Sequence, residues 1–354
     1  MSKDSNSAKV VGVAVSVPDK QFDLMDMDID DYTLKRTMKL TGIHKIRQAP
    51  PDMSAADYCI DAAKVLFREL SVEASSIDGI VMLTPHPNYI YPGDSGLIQI
   101  ALGIPTKCIA MDINHSCTGV IYGIFVASLL VESGQCKKVL VCCGDTAAKH
   151  MNPRDRALKM VAGDGGSALL VTGGGKLPMK YSFVHDGSGL KYLYTPAGGE
   201  RMPIKPGVTD VESTDAEGNV RTLEEEFMDG LEVMRFVMNE MPPRVEEVLA
   251  QQGWDKEDVD NFVFHQANEF MVKSLARSMK LSKKKSLVRV DGYGNIGGGS
   301  VLLAMCLERE HSKEWKKTVL CSFGTGMSGA ALAADFSQTH FCEVSECSTV
   351  HVNV

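Results

Sequence analysis

The sequence predicts an α/β protein built from two similar halves. Short β-branched, apolar runs alternate with longer helical segments, which is the pattern of parallel strands buried by helices. The order strand, helix, strand, helix, strand, helix, strand, then a closing antiparallel strand occurs twice, although similarity between the halves is weak. At 354 residues the chain is long enough for two ordinary domains or one large duplicated unit.

In the first half, residues 9–17 alternate and are β-rich, so they predict a strand. Residues 30–40 predict a helix, broken at Thr41-Gly42. Ser54 opens a helix with Asp57 at its third helical position, continuing to about Leu70. Residues 79–84 read as a short buried strand, 86–92 as a loop broken by two prolines, 94–102 as a helix and 108–112 as a strand. A helix then starts at about Cys117 and runs through Val120, Ile121, Ile124, Phe125, Leu129, Leu130 and Val131. Apolar on all sides, it is predicted to be buried. Residues 139–144 form another strand, in which Cys142 and Cys143 point to opposite faces, and a Gly163–Gly166 turn leads to the closing strand 167–171.

The second half begins with a strand at 180–185 and an irregular region at 186–218. A long amphipathic helix is predicted over 222–241, broken or restarted by Pro242-Pro243 and resumed over 244–252. Strand 261–264, helix 270–279, strand 286–290, a glycine-rich turn 292–299, helix 300–310 and strands 318–321 and 329–335 follow. The tail, 336–354, reads either as an added strand or as disordered.

Composition excludes several classes. Hydrophobic content of 44% and charged content of 23% are those of an ordinary globular protein. A net charge of −8 argues against a broad nucleic-acid surface. There is no apolar run of membrane-spanning length, and the first residues are polar, without the apolar core of a secretory signal. Ten cysteines without such a signal predict reduced thiols and a cytoplasmic location. Cys342 and Cys347, with His340 and His351 close by, are possible metal ligands, but their spacing matches no familiar zinc pattern, so no metal is assigned.

Three features sit just after strands, where α/β sheets place ligands: Cys117 at the mouth of its helix, His265-Gln266-Ala267-Asn268, and Gly294-Asn295. A helix N-terminus favours a thiolate at Cys117. A histidine and an asparagine can donate hydrogen bonds to a carbonyl becoming an enolate. Together they suit carbon–carbon bond formation between thioesters. Gly292, Gly294 and Gly297, and again Gly324, Gly326 and Gly329, match G-x-G-x-x-G and leave a nicotinamide oxidoreductase as a remote alternative. The second match leads into a strand, and no acidic strand end follows the first about 20 residues on.

Ser116-Cys117-Thr118-Gly119, His265-Gln266-Ala267-Asn268, Gly294-Asn295 and Phe323-Gly324-Thr325-Gly326, with 152–156 and Gly163-Asp164-Gly165, resemble the ketoacyl-ACP synthase III family of thiolase-fold condensing enzymes. The resemblance runs from about Val10 to Asp335. It implies a five-layered αβαβα fold of two duplicated halves with mixed sheets. The halves fall at 1–173, carrying the cysteine, and 174–338, carrying the histidine and asparagine, with an extension at 339–354. It implies that Cys117 takes an acyl group from a primer thioester, and that His265 and Asn295 stabilise the enolate left when a malonyl thioester loses carbon dioxide. Backbone N–H groups of Cys117 and Gly326 would form the oxyanion hole. Arg156, Asn268, Tyr91, His115 and Arg36 would bind substrate, with Tyr91 carried into the pocket of the other copy in a homodimer. Substrates would be acyl-CoA or acyl-carrier-protein thioesters, with no cofactor. The chain departs from the family in placing Arg36 where a stacking tryptophan is common, which favours a carrier-protein donor meeting Lys273, Arg277 and Lys280. His115 stands where small residues are common and is expected to shape the pocket of a specialised homologue. Acyl transfer to an alcohol or amine is the nearest alternative. A hydroxymethylglutaryl-type synthase would need a glutamate near 84–91, and none is there.

Overall fold

The computed structural model describes residues 7–352, without the side chains of 311–313. The polar start of the chain, residues 1–6, lies outside the described residues. The main strands are β1 (Ser7–Pro18), β2 (Gly79–Leu83), β3 (Ile109–Ile113), β4 (Lys138–Asp145) and β5 (Gly165–Gly175), then β6 (Lys180–His185), β7 (Asn261–Phe264), β8 (Thr318–Gly324) and β9 (Ser328–Ala334). The helices are α1 (Asp31–Thr41), α2 (Ala55–Leu70), α3 (Ser95–Leu102), α4 (Gly119–Glu132), α5 (Gly230–Gln252), α6 (Glu269–Ser278) and α7 (Ser300–Leu307).

The first sheet runs β1-β5-β4-β2-β3 and the second β6-β9-β8-β7. Numbered within each half, the first order is 1-5-4-2-3. The second is the same with its third strand missing. Both sheets are mixed: β2 is parallel to β3 and β4, β7 is parallel to β8, and the closing strands are antiparallel. The helices α4 and α7 lie between the sheets, α2 and α3 cover the outer face of the first, and α5 and α6 that of the second. This gives five layers, α/β/α/β/α. Strand alternation sends Cys143 into the central core and Cys142 into the outer one. All ten cysteines are free. Among the described residues no helix is long and apolar enough to cross a membrane.

Four expectations are corrected. The segment 286–290 forms no strand; only Ser286 bridges to Phe262. The Gln266 side chain donates to the Leu287 carbonyl and accepts from the Arg289 N–H, taking two backbone groups that a ladder would use. Helix α5 begins at Gly230, with Asp229 accepting from the N–H groups of Leu231 and Glu232. The residues before it are committed elsewhere: Arg221 pairs with Ser213, Phe227 with Tyr194, and the Thr222 N–H donates to the Glu225 carboxylate. The helix also passes unbroken through Pro242 and Pro243. An interior proline costs roughly 3 kcal/mol. Burial of Met241, Val245, Val248 and Leu249 in the outer core offsets it. Finally, α4 starts at Gly119, and Leu129 near its end is exposed.

The tail forms two short strands, β10 (His340–Phe341) and β11 (Ser345–Cys347), both parallel to β1. Buried Arg47 fastens it, with one nitrogen 2.6 Å from Glu346 and another donating to the carbonyls of Pro18 and Asp19. The tail also brings Cys347 and His351 beside Asp61, and His340 and Cys342 beside Glu69. His340 Nε2 lies 2.7 Å from Glu69, and the Lys64 ammonium lies 2.9 Å from His351 Nδ1.

Truncation after Gln338 should therefore lower the melting temperature by several degrees, the equivalent of about 2–4 kcal/mol, since it bares the β1 edge and leaves Arg47 without Glu346. Thermal unfolding followed by fluorescence checks this; an unchanged midpoint would make the tail an ornament.

Candidate active site

Cys117 sits one residue before the α4 cap Thr118, 8% exposed, between the two halves. The second half locks it in place. Ser322 donates to the Cys117 carbonyl at 2.5 Å, and the Thr118 and Ser328 hydroxyls lie 2.9 Å apart. Gly324 lies against the nucleophile: a Cβ there would stand 2.6 Å from the Cys117 Cβ. Only glycine fits at that approach.

His265 is buried at the end of β7, its N–H bonded to the Cys321 carbonyl and its ring edge-on to Phe323. Its Nδ1 lies 2.7 Å from Ser300 Oγ, which also accepts from the Gln266 N–H at 3.2 Å. That N–H fills one lone pair of the hydroxyl. The hydroxyl proton can then go to Nδ1, which leaves Nε2–H as the free donor. Burial lowers the His265 pKa to about 3, so the imidazole is neutral. Asn295 follows a tight turn. Gly294 has φ +76°, and a Cβ there would meet Gly163 N and the Val161 carbonyl at 3.0 Å. The Asn295 N–H donates to Val161 and its carbonyl accepts from Gly163. This packing explains Gly163 and fills the Gly292–Gly297 turn with backbone rather than leaving it open to a pyrophosphate.

Cys117, His265 and Asn295 line one cavity of about 950 Å³, with His115, Asn268 and Gly326 also on its wall. His115 stacks on Tyr122 at 4.4 Å and bonds to Thr118, and burial together with the neighbouring His185 lowers its pKa to about 4. The Asn268 side chain caps α6 by accepting from the Met271 N–H. Arg156, Arg36 and Tyr91 are not on this wall. Arg156 lies 3.7 Å from Asp30, Arg36 is exposed on α1, and Tyr91 is 86% exposed.

The resting charge of the nucleophile differs from the helix-dipole expectation. Burial pushes the Cys117 thiol up to about 12, the Ser116 hydroxyl 3.6 Å away works against it, and the carboxylates of Asp145 and Glu226 push it further. Desolvation outweighs the dipole, and the resting group is a thiol.

The structure adds residues to which the sequence assigned no role. Ser116 donates to Asp145 Oδ2 at 3.1 Å, and Asp145 Oδ1 lies 2.9 Å from His86 Nδ1. The His86 ring stacks on His150 at 3.9 Å, 8° from parallel. Glu226, whose N–H donates to the His150 carbonyl, also lines the cavity. A cavity carboxyl is thus present after all, brought by a segment far from 84–91. Nothing local marked it, because Glu226 falls where the pattern read as helix.

Gly324→Ala should slow covalent reaction of Cys117 with a thiol-directed electrophile about 100-fold, since even a small displacement of a reacting atom is costly. Intact-protein mass against time, with circular dichroism to verify the fold, checks it; an unchanged rate would mean that the close approach is not constraining.

Residues 111–187 match the family model described as 3-oxoacyl-(acyl-carrier-protein) synthase III, and residues 249–336 match that of its C-terminal region. The chain is 30% identical over 344 residues to the beta-ketoacyl-(acyl-carrier-protein) synthase III of Caldanaerobacter subterraneus subsp. tengcongensis, covering 94% of this chain and 98% of that one. A crystal structure of a 3-oxoacyl-(acyl-carrier-protein) synthase III superposes with TM-score 0.89 at 34% identity, covering 93% of this chain and 100% of that one. That of a 3-oxoacyl-(acyl carrier protein) synthase from Burkholderia xenovorans LB400 gives 0.88 at 30%, covering 96% and 97%.

Proposed function

The chain belongs to the 3-oxoacyl-(acyl-carrier-protein) synthase III family of thiolase-fold condensing enzymes, and from that premise we propose how its own residues make a β-ketoacyl product. The observation that carries the proposal is the meeting of Cys117 from one half with His265 and Asn295 from the other in a single cavity. Cys117 sulfur attacks the carbonyl of a primer thioester; the bond to the donor sulfur breaks, and the donor leaves as a thiol with the proton. A malonyl thioester then loses carbon dioxide, and the electron pair of the broken bond enters an enolate. His265 Nε2–H and the Asn295 amide donate to its oxygen. The enolate carbon attacks the acyl-cysteine, a carbon–carbon bond forms, and Cys117 is released. Backbone N–H groups of Cys117 and Gly326 hold the oxyanion at each tetrahedral stage. Ser300 positions His265 by fixing its tautomer. No cofactor enters any step.

The surroundings favour a carrier-protein donor. Helix α6 is capped by Asn268 on the cavity wall; Lys273 and Arg277 on the helix and Lys280 just past its end are exposed, with Lys273 also paired to Glu269. Arg36 and Arg156, off the wall, offer no stacking clamp for a nucleotide. A homodimer accounts for two exposed features: Tyr91 on its loop, and the edge of β3, which pairs on one side only among the described residues. Tyr91 would then close the partner's pocket.

Incubated with acyl thioesters, the protein should gain one acyl mass that Cys117→Ala abolishes; an adduct surviving that change would sink the assignment. His265→Ala and Asn295→Ala should still load but release carbon dioxide from malonyl thioester at least 100-fold more slowly. Because burial holds His265 far below its ordinary value, it stays neutral at every working pH. Between about pH 5 and 8 the decarboxylation rate should therefore carry no titration of His265: the profiles of the unaltered protein and of His265→Ala should run parallel, whereas an imidazole titrating near 6.5 would make them diverge. Reversing the charge of Arg277 and Lys280 to Glu should raise KM for a carrier-protein donor roughly tenfold and leave that for a pantetheine donor unchanged. Equal effects on both donors would refute the docking face.

A further inference from the structure

The cavity that holds the nucleophile has an unusual lining for a site receiving an acyl chain. Starting from Cys117 sulfur, a line of polar groups leads away through Ser116 Oγ at 3.6 Å, Asp145 at 3.1 Å from that hydroxyl, and His86 at 2.9 Å from Asp145. His150 stacks on His86, and Glu226 is joined to His150 through the backbone. His86, His150 and Glu226 all face the cavity.

Their hydrogen bonding is incomplete. Asp145 occupies His86 Nδ1 and leaves Nε2. Among the described residues no hydrogen bond or ion pair reaches the His150 ring nitrogens or the Glu226 carboxyl. Burial of a carboxyl without a partner disfavours its charge. The Glu226 pKa is accordingly raised to about 7, by burial first and by Asp145 next, with His86 opposing. Burial works against a charge on His86 too, but the hydrogen bond and charge of Asp145 hold it above its ordinary value. His150 is lowered to about 4, by burial and then by the neighbouring His86 charge. Asp145 thus favours a proton on His86, burial disfavours one on His150, and the Glu226 carboxyl beside them is poised near neutrality. A plain alkyl chain laid over these groups would desolvate them and return no hydrogen bond, which is costly. A chain carrying a donor would meet an acceptor already in place.

We infer that this end of the cavity is a polar acyl subsite, in which Glu226 with His86 and His150 selects primers whose acyl group carries a hydrogen-bond donor, a hydroxyl or an ammonium, over plain alkyl primers. The subsite rests on the condensing reading only in that the acyl group arrives as a thioester at Cys117. Glu226 is its specificity-determining residue.

The test offers butanoyl, 3-hydroxybutanoyl and 3-aminobutanoyl thioesters of pantetheine to the unaltered protein and to Glu226→Leu. Growth of the acyl adduct is followed by intact-protein mass. At least one polar primer should load about tenfold faster than butanoyl, the worth of one hydrogen bond to a desolvated group. The hydroxyl and ammonium arms tell a neutral donor from a cation, and a lead by either supports the subsite. In Glu226→Leu the order should reverse, with butanoyl gaining; where that variant does not fold, Glu226→Gln should still narrow the polar-to-plain ratio. A merely structural Glu226 would slow all primers alike. Butanoyl loading as fast as both polar primers, or a ratio indifferent to position 226, overturns the inference. Binding of the same thioesters to Cys117→Ala by calorimetry separates the two proposals. Polar preference in binding, with no adduct on the unaltered protein, removes the condensing reading and keeps the subsite. Adducts on Cys117 with equal binding and equal rates do the opposite.

Discussion

The close contact of the two halves around Cys117 is the constraint on which the rest depends. Cys117 belongs to the first half, yet its carbonyl is held by Ser322, its neighbour Thr118 by Ser328, and its Cβ by Gly324, all from the second. Any change in how α4 lies between the sheets moves the sulfur relative to His265 and Asn295. The central layer answers this need. Residues 300–306 of α7 are buried throughout, and α4 packs on strands of both sheets. Close packing there acts as a jig for atoms that must meet within a few tenths of an ångström.

Burial has opposite effects on Cys117 and His265, and both suit the proposed chemistry. It makes His265 a neutral donor, the form that the proposed stabilisation of an enolate requires. It also keeps Cys117 protonated at rest, so the thiolate need exist only when a thioester carbonyl is there to receive it. The same low-dielectric cavity makes unpartnered polar groups expensive. For that reason Glu226, His86 and His150 are informative about what the cavity is shaped to receive.

Much of this was legible in the sequence because periodicity and motif agree wherever the backbone satisfies itself. Strands such as Asn261–Phe264 and Lys180–His185 match the residues that alternation marks, and Cys142 and Cys143 face opposite cores as a period of two requires. Cys117 and His265 could be chosen because one opens a helix and the other follows a strand, and Asn295 because it ends a glycine turn. What escaped was long-range. Residues 222–229 have helical periodicity, but their N–H groups are taken by Glu225, Thr209 and His150, none of which local pattern can foresee. Glu226 reaches the cavity through those contacts, so it was missed together with the segment that carries it. Arg36 and Arg156 were placed by resemblance, and lie off the cavity wall because α1 holds one outward and Asp30 draws the other.

The lost third strand of the second half belongs to the same argument. In the first half that position is a regular edge strand, β3. In the second, the Gln266 amide takes the Leu287 carbonyl and the Arg289 N–H, so the ladder stops after one bridge. Gln266 is the residue after His265, and its own N–H binds the Ser300 hydroxyl that orients that histidine. One side chain and its backbone thus fix the imidazole and release 287–290 from the sheet. The released chain can then turn at Gly292 and Gly294, cross to Val161–Gly163 and present Asn295 to the cavity. The departure from symmetry between the halves thus lies beside the site, because the Gln266 that follows His265 also binds the segment leading to Asn295.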